Sequence, residues 1–156
     1  MSSQVLSTQE DIALDAWLRL LRSSASMRRS LSAELDAAHG LAISDFEALL
    51  QLAHAEDSAL RRVDLAEGLG LTASAVTRLL DGLERAGLVG KRTCEHDARV
   101  SYAVLTEDGR AKLAEASCSH VGAIRALFAE RYSDEELRTL AELLERLPGA
   151  KCSTKE

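Results

Sequence analysis

Aromatic side chains are scarce, at 3% of 156 residues. The interior must therefore be built mainly from Leu, Ala and Val, which suits a helical chain. No run approaches about 18 consecutive apolar residues, so no membrane span is expected. The stretch MSSQVLSTQEDIALDAW has no basic region followed by an apolar block. A secretory signal is not expected there, and the expected location is cytoplasmic. Cys94, Cys118 and Cys152 form no C-x-x-C pair, and their odd count argues against a disulfide framework. Cys118 reads as a small buried side chain and Cys152 as an incidental tail thiol. Cys94, beside His96, leaves a thiol-based redox response open as an alternative. His39, His54, His96 and His120 fall in no recognised ligand spacing, so no metal or cofactor is expected, and metal sensing stays an alternative. There is no nucleophile elbow, P-loop, dinucleotide fingerprint or paired-carboxylate motif, so an enzyme is not expected.

What is present concentrates in residues 61–110. Val76, Leu79, Leu80, Leu83 and Ala86 recur at helical spacing and make one apolar stripe. Thr72 precedes the stripe as an N-cap, and Gly87 follows it as a stop, so the spacing predicts a helix from about Ala73 to Ala86. A shorter helix, about Val63 to Leu69, turns Leu65, Ala66 and Leu69 inward. Gly70 ends it and Leu71 plugs the turn. Helix, Gly, one apolar residue, Thr, helix is helix-turn-helix spacing. The face of the second helix opposite the stripe carries Ser74, Thr77, Arg78, Asp81 and Arg85. A recognition helix reads DNA from its N-terminal half, which favours Arg78 as a contact. At Arg85 the helix dipole alone explains a cation. After the helix, Leu88–Thr93 and Val100–Leu105 alternate with period two and read as paired strands. The loop Cys94–Arg99 joins them, with Arg92 at the hairpin base and Arg99 at its tip, placed to reach phosphates or a narrow minor groove. Tyr102 reads as strand packing.

LAEGLGLTASAVTRLLDGLERAGLV, then KR, then Asp97-Ala98-Arg99, then LTEDGR resembles the MarR family of bacterial transcription regulators. The resemblance is densest over 61–110 and extends, with the flanking helices, over nearly the whole chain. It implies a mainly α fold with a small β-wing, a winged helix-turn-helix flanked by N- and C-terminal dimerisation helices. It also implies a dimeric repressor or activator that responds to a small ligand or an oxidant. By resemblance, Asp97 helps hold the wing and Arg99 enters the minor groove. The expected DNA-binding residues are Thr72, Ser74, Thr77, Arg78, Arg92 and Arg99.

The flanks read as amphipathic helices. One runs from about Thr8 to Ala38 through Trp17, Leu18, Leu21, Met27, Leu31 and Leu35, and Gly40 stops it. Ser44-Asp45-Phe46-Glu47 has the pattern of a capping box opening a helix to about His54. Thr106 opens a long helix to Arg131. Ser133-Asp134-Glu135-Glu136 is a second capping box, leading into a helix with Leu137, Leu140, Leu143, Leu144 and Leu147 inward, ended by Pro148-Gly149. There is no internal repeat, low-complexity block or long linker. Residues 44–109 are the expected DNA-binding module, and 8–40 and 110–147 the expected dimerisation helices.

The whole chain carries net −6, which looks wrong for a DNA ligand. The charge divides into −5 over residues 1–60, zero over 61–110 and −1 over 111–156. The reading head is therefore neutral between acidic ends, with Arg78, Lys91, Arg92 and Arg99 expected on one side and Glu67, Glu84 and Asp108 elsewhere. Acidic flanks repel nonspecific DNA, so binding is expected to be strongly salt-dependent and to need a homodimer on an inverted repeat. A crevice between the dimerisation helices and the winged module, implied by the resemblance, offers Trp17, Arg22, His39, Asp45 and Phe46 as candidate effector contacts. A Trp near an Arg suits an aromatic acid, although Trp17 also reads as core or dimer packing. A winged helix used only for protein interaction is the remaining alternative, and it has no need of the cations Arg92 and Arg99.

Overall fold

The structure, a computed structural model, describes residues 11–149. Thr8, the expected start of the first helix, and Cys152 lie outside them. Helix α1 (Ile12–His39) starts behind Asp11, whose carboxylate accepts from the Ala13 and Leu14 amides at 3.0 and 3.1 Å. Helix α2 (Ile43–His54) opens one residue before the expected box. Its cap position is Ala42 rather than Ser44, and the Asp45 carboxylate accepts the Ala42 amide at 3.1 Å. Glu47 does not serve the cap. Its carboxylate takes a bidentate pair from Arg28 of α1, at 2.6 and 2.7 Å, and so ties α1 to α2.

A short turn, Glu56–Ser58, follows, with Asp57 and Ser58 both left-handed at φ 54° and 52°. Arg110 donates to the Ser58 hydroxyl at 2.6 Å and holds this turn from the far side. The turn sends the chain into β1 (Ala59–Arg61), a strand that alternation did not reveal because it is three residues long. Helices α3 (Arg62–Leu69) and α4 (Ala73–Arg85) come next, then strands β2 (Val89–Thr93) and β3 (Ser101–Leu105). The sheet therefore has three strands, not two, all antiparallel in the order β1-β3-β2. Tyr102 pairs with Arg61 on one side and Arg92 on the other.

Helix α5 (Glu107–Ala129) starts at Thr106, whose hydroxyl accepts the Gly109 amide at 3.0 Å and donates to the Gly87 carbonyl at 2.7 Å. One side chain thus caps α5 and ties it to the end of α4. Helix α6 (Asp134–Leu144) opens on the expected reciprocal box between Ser133 and Glu136.

The core lies between α2, α3, α4 and the sheet, with Leu49, Leu52, Leu65, Val76 and Leu80 fully buried. The end of α1 closes it through Leu35, and the start of α5 through Leu113 and Ala116. Two expectations fail at the edges of this core. The leucine stripe expected to be inward is only partly covered: Leu137, Leu140 and Leu144 are half-buried, whereas Leu143 and, just past the end of α6, Leu147 are 50% and 45% exposed, and none of the five is fully buried by the described residues. Cys118 is exposed, because Leu113 and Ala116 turn the other face of α5 inward.

Candidate nucleic-acid interface

The interface is built on a turn. Gly70, at φ 63°, takes the left-handed conformation that ends α3, and the Leu71 amide returns to the Ala66 carbonyl at 3.0 Å. Leu71 packs against the core, and Thr72 then caps α4 by accepting the Ala75 amide at 3.2 Å. Burying Val76, Leu80 and Leu83 fixes the rotation of α4 and points Ser74, Arg78 and Asp81 into solvent.

The hydroxyls on this face differ in what they have left to offer. Thr77 donates to the Ala73 carbonyl at 3.0 Å, and the Thr72 oxygen is occupied by its cap and lies 3.2 Å from the Ser74 hydroxyl. Arg85 donates to the Asp81 carbonyl at 3.0 Å, within its own helix end. Arg78 is exposed and has no ion-pair partner among the described residues.

At the wing tip, the Asp97 carboxylate accepts the Arg99 amide at 2.9 Å, and the Asp97 carbonyl accepts the Val100 amide at 3.0 Å. These bonds close the loop locally. Arg99 stands exposed at the tip, and Arg92 lies over the Tyr102 ring, 5.5 Å from its centroid. Lys91 departs from expectation. Its ammonium pairs with Glu84 at 2.9 Å, and Arg62 also approaches that carboxylate, at 3.9 Å. Glu84 therefore sits among the cations rather than away from them, because β2 runs back along α4. Arg78, Arg92 and Arg99 remain without an acidic partner among the described residues.

Beside α4 lies a cavity of about 510 Å³ whose wall includes His39, Asp45, the exposed Arg78, Leu79, Leu83 and Lys112. His39 is held there by the Ser119 hydroxyl, 2.6 Å from Nε2, with Glu115 at 3.6 Å from Nδ1. Burial pushes the Asp45 carboxyl above the usual range, opposed by the bond from the Ala42 amide. Of the five candidate effector contacts, His39 and Asp45 line this cavity and Trp17, Arg22 and Phe46 do not. Trp17 is 56% exposed on the first half of α1, and Arg22 is exposed on the same helix. Phe46 is buried against the His120 ring, with centroids 4.7 Å apart. Lys112 was missed, since nothing in its local sequence ties it to α4 or to Asp45. Among the described residues no cluster of His, Cys, Asp and Glu could hold a metal ion. No helix among them is long and apolar enough to cross a membrane.

Residues 39–100 match the MarR family. The HTH-type transcriptional repressor YetL of Bacillus subtilis is 34% identical, over 86% of this chain and 82% of YetL. The chain belongs to the MarR family. Two MarR family regulators of Streptomyces coelicolor share its fold. AbsC is 30% identical with a TM-score of 0.75, over 86% of this chain and 90% of AbsC. Sco3205, solved in complex with DNA, is 25% identical with a TM-score of 0.75, over 83% of this chain and 81% of Sco3205. The MarR match spans α2, the helix-turn-helix and the wing tip. The AbsC and Sco3205 likenesses carry the same winged architecture into the flanking helices. These relatives are regulators of transcription, a non-enzymatic class.

Proposed function

We propose that this MarR-family chain is a sequence-specific DNA-binding repressor that acts as a homodimer on an inverted repeat and is modulated by a small anionic ligand. The observation that carries DNA binding is a set of arginines with no ion-pair partner among the described residues, Arg78 on the solvent face of α4 and Arg92 and Arg99 on the wing. Ser74 and the N-terminus of α4 add donors beside Arg78, and a helix N-terminus favours phosphate. Thr72 and Thr77 act by holding that turn of helix in place, and Asp97 by closing the wing. YetL is a repressor and Sco3205 was solved with DNA, and both facts favour this reading.

The dimer is supported by Leu143 of α6 and Leu147 just beyond it and by Ile12, Trp17 and Leu21 on α1, all exposed. Residues 44–109 then form the DNA-binding module, and 8–40 and 110–147 the dimerisation helices. A two-fold pair sets the recognition helices roughly 34 Å apart, on successive major grooves. The ligand reading rests on the cavity beside α4, where Arg78, Lys112 and His39 meet a leucine wall. That chemistry suits a carboxylate on an apolar body, such as an aromatic acid.

A mobility-shift titration on the DNA upstream of this chain's own coding sequence, repeated at several salt concentrations, tests the assignment. Arg99→Ala is expected to weaken binding and to lower the magnitude of the salt slope by about 1 for each lost phosphate contact. Identical curves for the two proteins at every salt concentration would remove Arg99 from the interface. Aromatic acids added to the same titration are expected to release the DNA.

A further inference from the structure

We infer that Tyr102 is a positioning residue that holds Arg92 ready for a DNA phosphate; the inference rests on Arg92 being a DNA contact. The strand register sets Arg61, Tyr102 and Arg92 in one rank across the sheet, one residue from each strand. The two arginines flanking the ring have different fates. Arg61 makes a bidentate pair with Asp64, at 2.7 and 2.8 Å, which engages its hydrogen-bonding edge. Arg92 has no carboxylate partner among the described residues, and its guanidinium lies 5.5 Å from the Tyr102 centroid. Its neighbour Lys91 is already engaged by Glu84.

The difference matters because a guanidinium has two kinds of surface. A carboxylate occupies the in-plane N–H donors, whereas an aromatic ring engages the cation through its own face and leaves those donors open. Tyr102 thus restrains a long, flexible side chain without using the groups a phosphate needs. Fixing the side chain before binding reduces the ordering cost of association. Tyr102 is half-buried at the centre of the three strands, so the ring is itself well anchored. The phenolic hydroxyl takes no part in this, and the aromatic face carries the whole effect.

The test is a double-mutant cycle in full-length protein, read by fluorescence anisotropy on the upstream DNA. Arg92→Ala, Tyr102→Leu, Tyr102→Phe and the Arg92→Ala/Tyr102→Leu double variant are compared. Tyr102→Leu is expected to weaken binding about two- to fivefold, the range of an exposed cation–π contact. Tyr102→Phe is expected to bind as the parent does. In the Arg92→Ala background, Tyr102→Leu is expected to add nothing, which a merely structural role for the ring would not produce. Should Tyr102→Leu fail to fold, Tyr102→Val keeps a strand-forming side chain and replaces it in the cycle. Additive losses, or a Tyr102→Phe loss equal to that of Tyr102→Leu, overturn the positioning role while leaving Arg92 as a contact. An Arg92→Ala protein that binds as well as the parent overturns both.

Discussion

Two glycines of the helices illustrate how differently one added methyl group can act. A Cβ at Gly109 would meet the Leu88 backbone carbonyl well inside van der Waals contact, with a Leu105 methyl close behind. Backbone on one side and core on the other cannot give way, so Gly109→Ala is expected to cost about 2 kcal/mol or more, read as a drop in the urea midpoint. The nearest atoms to a Cβ at Gly68 would be the amide end of Gln51, which can swing aside. Gly68→Ala, in the last turn of α3, is expected to be neutral or mildly stabilising in the same assay. His120 supplies a pH dependence. Its ring packs on Phe46, and burial pushes the imidazole below the usual histidine range, with Glu47 and Glu34 pulling the other way. Folding therefore favours the neutral ring. That stabilisation is complete above the ordinary value of about 6.5 and is lost as pH falls through the lowered folded value. His120→Phe keeps the packing and removes the titration. Its unfolding free energy is expected to fall less than the parent's between pH 7.5 and pH 5.5.

Among the elements, α4 is the one most completely legible in sequence. Its cap, its stripe and the glycine turn before it all act within a few residues, and each is where the spacing puts it. The hairpin was legible for a similar reason, since alternation reports a half-buried strand directly. Strand β1 was not, because three residues carry no period and its place is set by pairing with β3 across 39 intervening residues, 62–100. The cap of α2 was misplaced because Glu47 has a stronger partner in Arg28 than any free amide. Thr106 carries a prediction at this scale. It caps α5 and also bonds to the end of α4, so Thr106→Val, which keeps the shape and removes the hydroxyl, is expected to cost about 1–2 kcal/mol. Hydrogen exchange should show the loss as faster exchange at the Gly109 amide.

For the whole molecule, the net charge of −6 and the exposed Leu143 and Leu147 belong to one account. A neutral reading head between acidic ends gains little from long-range attraction, so affinity has to come from a few placed arginines, which the proposed dimer would double by symmetry. Leu143→Glu with Leu147→Glu puts charge into the proposed seam. The variant is expected to sediment as a monomer and to lose most of its operator affinity, while the winged core keeps its fold. A dimer that survives both changes would place the interface elsewhere. The sequence by itself determined the helix-turn-helix, the wing and the amphipathic flanks, because caps, turns and periodicity are interactions between near neighbours. Only the tertiary structure decided which cations are free, that Lys91 belongs to Glu84, and that His39, Asp45, Arg78 and Lys112 share one cavity. Those facts depend on where distant segments cross, and the packing of α4 against α3, β2 and α2 sets the crossings around it.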